Sequence, residues 1–391
     1  MKINPNLIKI TPKHMPFAFC VYGEPTEEIS KWLEYWNIKT EQSGLYTNFI
    51  LPQKINLSDI FQEPKIYSYV DGFSPNLNKS IHIGHLSNLI IAKSIQKLGV
   101  GENFIAVLGD TLNGAVSAEE ALNQFNKYCD MFHYKVNDIY FASKQKIIND
   151  NILKDGQGKY DGTKIFEIDN QKIVAIKKSG STTYFYQDVA VAQKLNKPTL
   201  YLTGFEQTEH FSTLKKMFPN IVHIGLGLIM LDGKKMSSSE GNVIMVEQLF
   251  DNLLSEFKDE KLVYNIIAGV ILQSNLSSVK KIDSESIKNV KMSSGLYISY
   301  TQAKMWSAGI EYQKIDKFSS LELEFKFLKA KYNIQPNILL NGIIELCEKI
   351  NQLYETNIIK NNIDNQKMFQ ILVNDLMLAC DYLGFFKIDK V

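Results

Sequence analysis

The chain has 391 residues, of which 45% are hydrophobic and 22% charged, so it can bury a large core in two or three domains. Its formal net charge is only +1 at pH 7, so contact with nucleic acid would need a local basic patch rather than a field of the whole chain. The four cysteines are scattered without a Cys-x-x-Cys pair, which predicts reduced thiols rather than a zinc site or a disulfide framework. No apolar segment is long enough to span a bilayer and the N-terminus has no apolar signal core, so we expect a cytoplasmic protein.

Arginine is absent from the sequence, because all 43 positively charged side chains are lysine. At a frequency of about one residue in thirty, about 13 arginines would be expected in a chain of this length. A bias towards AT-rich codons would favour the abundant Lys, Asn and Ile, but one arginine codon is itself AT-rich. Codon bias alone therefore does not account for the absence of arginine.

In chain order, residues 1–64 form a small leading unit, whose last segment, 44–51, has the pattern of a strand. Residues 65–285 alternate strand and helix patterns, which is typical of an α/β fold with a parallel sheet. A polar stretch at about 110–180 interrupts the alternation, and we interpret it as an insertion between the two halves of a nucleotide-binding fold. Residues 286–391 carry apolar residues at helical spacing and predict an α-helical bundle. The candidate strands of the parallel sheet are 66–70, 104–108, 173–176, 199–203 and 221–224.

The most informative segment runs from Ser74 to His85 and reads Ser-Pro-Asn-Leu-Asn-Lys-Ser-Ile-His-Ile-Gly-His. It follows an apolar strand and leads into a helical pattern, so its two histidines fall at the start of a helix. A helix N-terminus offers unpaired N–H groups and the positive end of its dipole to a phosphate. Gly84 would let a nucleotide lie close to the backbone, and His82 and His85 could donate to its phosphates from one helical face.

A second informative segment, from Gly233 to Asn242, reads Gly-Lys-Lys-Met-Ser-Ser-Ser-Glu-Gly-Asn. Lys235 could hold a phosphate group as a point charge, and the serines at 237–239 add hydroxyl donors. Together the two segments resemble the HIGH and KMSKS signatures of class I aminoacyl-tRNA synthetases. The flanking Ser-Pro-Asn and Gly-Asn narrow the resemblance to the arginyl-tRNA synthetase family. A further Lys-Met-Ser at 291–293 lacks the following Gly-Asn, and we interpret it as a solvated approach to a helix.

The resemblance implies a Rossmann-type catalytic domain followed by a helical domain like those that bind anticodons. It also implies activation of L-arginine by ATP, with Mg²⁺ on the nucleotide, and transfer of the arginyl group to the 3′-terminal ribose of tRNA-Arg. We expect a monomer without a metal site of its own. Lys79, three residues before His82, would replace the second lysine of the KMSKS signature, where Ser238 stands here. The residues implied for catalysis are His82, His85, Lys79 and Lys235, and those implied for ATP binding are Gly84, Met236, Ser237, Ser238, Ser239 and Gly204.

The resemblance further implies an arginine pocket made of Asp71, Asn76, Tyr184, Asp188 and Gln207, which match the family at its own spacing. We expect Asp188 to pair with the guanidinium, because carboxylates hold that planar cation well. Tyr184 would form a wall of the pocket. Asn76, with Asp71 beside it, would orient the α-amino and carboxylate end. Asp71 is a departure, because the family more often has Glu at this position.

Three positions where the family has arginine carry Ser87, Gln187 and Ser239 in this chain, and the loss of the guanidinium at Ser87 and Ser239 would weaken the grip on ATP or tRNA. One alternative function passes arginyl-adenylate to a small molecule, a peptide or a carrier protein instead of tRNA. A second alternative is a non-catalytic sensor of arginine or tRNA, and a third is a simple nucleotidylyltransferase.

Since the chain lacks arginine, we hypothesise that it can be translated when charged arginyl-tRNA is scarce, as a backup, resistance or specialised-pathway copy.

Overall fold

The structure, a computed structural model, describes residues 1–11, 18–52, 55–76, 82–109, 118–235, 246–356 and 363–391. The strands are β1 (Lys9–Ile10), β2 (Phe19–Tyr22), β3 (Lys39–Ser43), β4 (Tyr46–Ile50), β5 (Tyr67–Asp71), β6 (Gly101–Leu108), β7 (Asp138–Phe141), β8 (Lys154–Asp155), β9 (Lys164–Ile168), β10 (Gln171–Ile176), β11 (Thr199–Gly204), β12 (Ile221–Leu226), β13 (Ile229–Leu231), β14 (Lys234–Lys235) and β15 (Lys280–Ile282). The α-helices are α1 (Glu27–Tyr35), α2 (Leu57–Ile60), α3 (Ile83–Lys97), α4 (Ala118–Met131), α5 (Tyr184–Leu195), α6 (Thr208–Met217), α7 (Val246–Phe257), α8 (Glu260–Leu272), α9 (Ser294–Ser307), α10 (Leu321–Asn333), α11 (Pro336–Glu355) and α12 (Ile363–Leu383).

Five strands form a parallel sheet in the order β12-β11-β5-β6-β7. The chain builds outward from β5 to β7 and then returns to the other side of β5 with β11. Sheets of this kind bind ligands outside the carboxyl ends of the strands, at the point where the strand order reverses. Here that point lies between β5, which ends at Asp71, and β11, which ends at Gly204. The predicted α/β fold with a Rossmann-type parallel sheet is confirmed.

Helices cover both faces of this sheet. Ile105 and Tyr201 pack against residues of α5, so α5 lies on the face to which these two side chains point. Gly72 follows β5, and a Cβ on it would lie 2.5 Å from the Cβ of Ala92 in α3 and 3.3 Å from Leu202. Because Leu202 and Tyr201 are neighbours in one strand, they point to opposite faces, so α3 covers the face opposite α5. The glycine at position 72 thus lets α3 pass close to the end of β5.

The predicted insertion at 110–180 divides into two parts. Its first part, α4 and β7, completes the parallel sheet. Its second part forms a separate antiparallel sheet in the order β10-β9-β8, which packs on the core beneath α5 and α6. Segment 173–176 is therefore a strand, as predicted, but it belongs to β10 and not to the parallel sheet. The reason is local, because Asp169 and Asn170 take left-handed conformations and close a tight hairpin between β9 and β10.

The leading residues of the chain share a core with α10. Strands β1–β4 form an antiparallel sheet in the order β1-β2-β4-β3. Phe19 of this sheet and Phe61 contact Phe325 of α10, with ring centroids 4.7 and 4.8 Å apart. Helices α9 to α12 pack on one another, and α9 also crosses the last turns of α8 closely. A Cβ on Gly295 of α9 would collide with the carbonyl oxygen of Asn265, so only glycine permits this crossing.

The chain divides into two compact units, one made of Met1–Lys65, Asn265–Gln273 and Lys288–Val391, the other of Ile66–Tyr264 and Ser274–Ile287. The leading residues therefore belong to the same unit as the C-terminal helices, and the parallel sheet belongs to the other. The division into three domains, at residues 64 and 285, stays a prediction. Within the described ranges, no helix combines the length and the apolar character needed to cross a membrane.

Candidate active site

A cavity of about 810 Å³ opens at the carboxyl ends of β5 and β11. Its wall comes from the ends of these two strands, from the first turns of α3, α5 and α6, and from the start of β13. Nine of the predicted site residues line it, namely Asp71, Asn76, His82, Gly84, His85, Tyr184, Asp188, Gly204 and Gln207. Residues that are more than 130 positions apart in the sequence thus meet in one place, at the reversal point of the sheet.

The remaining predicted site residues lie outside the described part of the chain: Lys79, Met236, Ser237, Ser238, Ser239 and the side chain of Lys235. The backbone of Lys235 is described and ends β14, where it pairs with Met230 of β13. Ile229, the residue before Met230, lines the cavity. The second signature segment therefore begins beside the cavity wall.

The two histidines occupy the first turn of α3. His82 is the N-cap, and its Nδ1 accepts a hydrogen bond from the N–H of Gly84 at 3.1 Å. The Nδ1 of His85 accepts one from the N–H of His82 at 3.3 Å, and the two ring centroids are 4.1 Å apart. A neutral imidazole whose Nδ1 accepts carries its proton on Nε2, so both rings are Nε2–H donors. The start of α3 thus combines two imidazole donors with the positive end of a helix dipole.

Asp71 is the buried carboxylate of the cavity and is 4% exposed. Its Oδ1 accepts a hydrogen bond from Ser74 Oγ at 2.5 Å, and Ser74 Oγ accepts one from the N–H of Val107 at 2.7 Å. Burial raises the pKa of Asp71 to about 7, while the hydrogen bond from Ser74 opposes this rise and the negative charge of Asp188 adds to it. Asp71 therefore changes its charge near neutral pH. Ser74 was not among the predicted site residues.

Asn76 and Tyr184 form the exposed side of the cavity. The Nδ2 of Asn76 donates to the hydroxyl of Tyr184 at 3.2 Å. Tyr184 is the first residue of α5 and is 54% exposed, so its ring can be covered further by a ligand. The backbone of Asn76 forms a parallel bridge with Gly109. A Cβ on Gly109 would lie 3.1 Å from the Asn76 side chain.

Asp188 lies one helical turn after Tyr184, so both side chains face the cavity from α5. Its Oδ2 lies 2.7 Å from the Nε2 of His210, at the start of α6. Tyr201 is buried in the same wall, and burial together with the negative charges of Asp188 and Asp71 raises the pKa of Tyr201 well above its usual range. Neither His210 nor Tyr201 was among the predicted site residues. The sequence feature that could have pointed to His210 is its position three residues after Gln207, at the start of the helix that follows.

The described wall of the cavity is acidic. Asp71, Asp188 and Glu206 line it, and no lysine does so within the residues that the structure describes. Gly204 leaves room for Glu206, because a Cβ on this glycine would collide with the Glu206 carboxylate. Gln207 is exposed at the same strand end. A ligand that enters this side of the cavity is therefore favoured if it carries a positive charge.

Two of the positions predicted to have lost an arginine also line the cavity. Ser87 is buried, with 3% exposure, and Gln187 donates from Nε2 to Thr182 Oγ1 at 3.2 Å. Neither side chain carries a charge, so they add no cation to the wall. Across the described ranges, no group of three or more His, Cys, Asp or Glu side chains could hold a metal ion.

No model of a known protein family matches the chain. Among curated proteins, it is similar to the arginine–tRNA ligase of Lactobacillus johnsonii, with 25% identity over 287 residues, 60% of this chain and 51% of that protein. The arginine–tRNA ligase of Clostridium botulinum (strain Loch Maree) is 26% identical over 302 residues, 63% of this chain and 53% of that protein. The chain thus spans about half the length of the curated relatives that it matches.

Two solved structures share most of the fold. The Thermus thermophilus arginyl-tRNA synthetase matches with a TM-score of 0.68 at 13% identity, over 98% of this chain and 96% of that chain. The Plasmodium falciparum arginyl-tRNA synthetase matches with a TM-score of 0.61 at 17% identity, over 90% of this chain and 86% of that chain. At these identities, the likeness is one of fold.

Proposed function

We propose that this chain, a member of the class I arginyl-tRNA synthetase family, activates L-arginine with ATP and transfers the arginyl group to tRNA-Arg. The observation that carries the proposal is the meeting of two kinds of site in one cavity. One is a pair of imidazole donors at a helix N-terminus, and the other is an acidic wall next to an exposed tyrosine. The first suits a phosphate, and the second suits a ligand with a positive charge.

In the proposed first step, a carboxylate oxygen of arginine attacks the α-phosphorus of ATP, and pyrophosphate leaves. The arginine carboxylate is already an anion, so the step requires no protein nucleophile. Negative charge accumulates on the phosphoryl oxygens in the transition state, and donors fixed beforehand stabilise it best. The Nε2–H groups of His82 and His85 would be these donors. Lys79 and Lys235 would neutralise the pyrophosphate, and Mg²⁺ would be held chiefly by the phosphates of the nucleotide.

The acidic wall would bind the amino acid. Asp188 would accept hydrogen bonds from the guanidinium, whose planar N–H groups match a carboxylate. The Tyr184 ring would cover one side of the alkyl chain, and Gln207 would add an amide at the strand end. Asp71 would attract the α-ammonium group, with Asn76 beside it. The arginine carboxylate would then point towards the histidines.

Pyrophosphate exchange measured with each amino acid, with and without tRNA, tests the proposal. We expect exchange with arginine only, and only when tRNA is present, because the family resemblance implies that tRNA binds before activation. Exchange with arginine in the absence of tRNA would favour transfer to another acceptor. Failure to exchange with any amino acid would favour the sensor, and nucleotide transfer without an amino acid would favour a nucleotidylyltransferase. Transfer to tRNA, the monomeric state and the cytoplasmic location stay predictions.

The charge of Asp71 leads to a pH dependence of arginine binding. The folded-state pKa of Asp71 is about 7, so the carboxyl is mostly neutral at about pH 6 and mostly ionised at about pH 8. Because the ionised form attracts the α-ammonium group, we expect the KM for arginine to fall by about fivefold as pH rises over this window. Asp71→Asn resembles the neutral form, so its KM should stay high and nearly constant. An equal pH dependence in wild type and Asp71→Asn would show that another group titrates.

The absence of arginine leads to a prediction about synthesis of the protein. In cells depleted of arginine, or with the host arginyl-tRNA synthetase inhibited, we expect the wild-type chain to keep accumulating. The matched control is the same chain with Lys31, Lys172 and Lys177 replaced by arginine, since these exposed lysines can be exchanged with little effect on the fold. Pulse labelling should show a larger loss of synthesis for this control. An equal loss for the two chains would refute the scarcity hypothesis.

A further inference from the structure

Asp188 receives its hydrogen bond from a different helix. The Nε2 of His210 in α6 lies 2.7 Å from the Oδ2 of Asp188 in α5, and the two side chains are 27% and 24% exposed. The terminal torsion of an aspartate is broad, so nothing in its own helix fixes the plane of the carboxylate. A hydrogen bond to one oxygen therefore decides the direction of the other oxygen.

The imidazole of His210 is itself held by aromatic rings. It meets Phe185 nearly edge-on, at 5.2 Å between ring centroids and 80° between planes, and Phe211 at 5.1 Å and 68°. Phe185 and Phe211 are both buried, and Phe211 stacks in turn on His223 at 4.7 Å and 18°. These contacts leave the imidazole little room to turn away from Asp188.

We propose that His210 is a positioning residue of the amino-acid pocket, which holds Oδ2 of Asp188 so that Oδ1 faces the cation of the substrate. This inference rests on the proposed function, in which that cation is the arginine guanidinium. Both residues line the cavity, and Oδ1 has no hydrogen-bond partner among the residues that the structure describes. A neutral imidazole with its proton on Nε2 is a sufficient donor. It leaves the pair with a net negative charge, which attracts the guanidinium.

Two variants separate the hydrogen bond from the shape of the ring. His210→Phe keeps an aromatic ring but has no donor, whereas the amide nitrogen of His210→Gln can take the position of Nε2. For His210→Phe we expect the KM for arginine to rise by about 10- to 100-fold, with kcat and the KM for ATP within about threefold of wild type. His210→Gln should return the KM for arginine to within about fivefold of wild type. Thermal melting without ligand checks folding, and His210→Leu is the donor-free replacement if His210→Phe does not fold.

A double-mutant cycle tests whether His210 acts through Asp188. In the Asp188→Asn background, His210→Phe should change arginine binding by less than about twofold, because the carboxylate that it positions is gone. Arginine binding is measured by calorimetry, so that the readout does not depend on catalysis. If wild type neither binds nor activates arginine, the proposed function and this inference fall together. Three results in an active wild type would overturn only this inference. His210→Phe could leave the KM for arginine unchanged, or His210→Gln could raise that KM as much as His210→Phe does. The third such result is that the changes in the free energy of arginine binding caused by His210→Phe and Asp188→Asn are additive.

Discussion

Asp188→Asn is expected to lower kcat/KM for arginine by about 10²- to 10³-fold while leaving the KM for ATP within about twofold. The substitution keeps the shape of the side chain but removes the negative charge that would face the guanidinium. It also leaves a neutral amide beside His210 in place of an acceptor carboxylate. The large effect follows because the carboxylate of Asp188 is only 24% exposed and lines the cavity, so its replacement by a neutral amide would leave the guanidinium without its charged partner in a partly desolvated position. Steady-state pyrophosphate exchange in the presence of tRNA measures it.

Glu209→Gln is the matched control for this substitution. Glu209 is exposed on the same turn of α6 as His210, and it does not line the cavity. Its neutralisation removes one negative charge nearby but no partner of the ligand, so kcat/KM should change by less than about threefold. If both substitutions reduce kcat/KM equally, the effect is one of general charge and Asp188 has no specific role. If Asp188→Asn keeps wild-type activity, the cation binds elsewhere.

His82→Asn is expected to lower kcat of arginine-dependent exchange by about 10²- to 10³-fold, with the KM for arginine within about threefold of wild type. The imidazole Nε2–H would act on charge that develops in the transition state, so its loss should appear in kcat and not in arginine binding. Asparagine is a good helix N-cap, and its side-chain oxygen can replace the Nδ1 that accepts from Gly84. The melting temperature should therefore change little.

His82→Ala separates the two roles of this histidine. It removes the donor and the cap together, so it should show the same loss of kcat plus a loss of about 1 kcal/mol in the free energy of unfolding. His85→Ala should lose kcat to a similar extent, because its Nε2–H belongs to the same pair. A His82→Asn variant that keeps more than half of kcat would contradict the proposed role of the imidazole. A loss of kcat only in variants with lowered melting temperature would assign the histidines to folding.

The elements around the histidines could be predicted because each carries its own local signal. The apolar run of β5 and the helical spacing of α3 predict a strand followed by a helix, and the structure has both in that order. The turn predicted between them falls partly on residues 77–81, which lie outside the described residues. Strands β6, β11 and β12 followed from the same reasoning. Segment 173–176 shows the limit, because an apolar strand carries no information about the sheet that it joins. The hairpin that this segment forms with β9 determines that it joins the antiparallel sheet.

The candidate site could be predicted as a set of residues but not as a set of contacts. The spacing of Tyr184 and Asp188 puts them on one helical face, which a sequence reveals. The hydrogen bond between Asp188 and His210 joins two helices across 22 residues, and the packing of α5 on α6 determines it. The burial of Asp71, and hence its raised pKa, depends likewise on the neighbouring strands. Such tertiary effects leave no local pattern in the sequence.

The choice of the cationic amino acid is tested most directly by comparing arginine with citrulline, which has the same length but a neutral urea group in place of the guanidinium. Pyrophosphate exchange by the wild-type chain is measured with ATP, tRNA and either amino acid, and lysine serves as a cation of different shape. We expect exchange with arginine and, at equal concentrations, at least about a hundredfold less with citrulline or lysine, because the pocket would lose a charge-assisted hydrogen bond in one case and the planar fit in the other. Equal exchange with citrulline would contradict recognition by a carboxylate, and exchange with lysine alone would contradict recognition of a guanidinium.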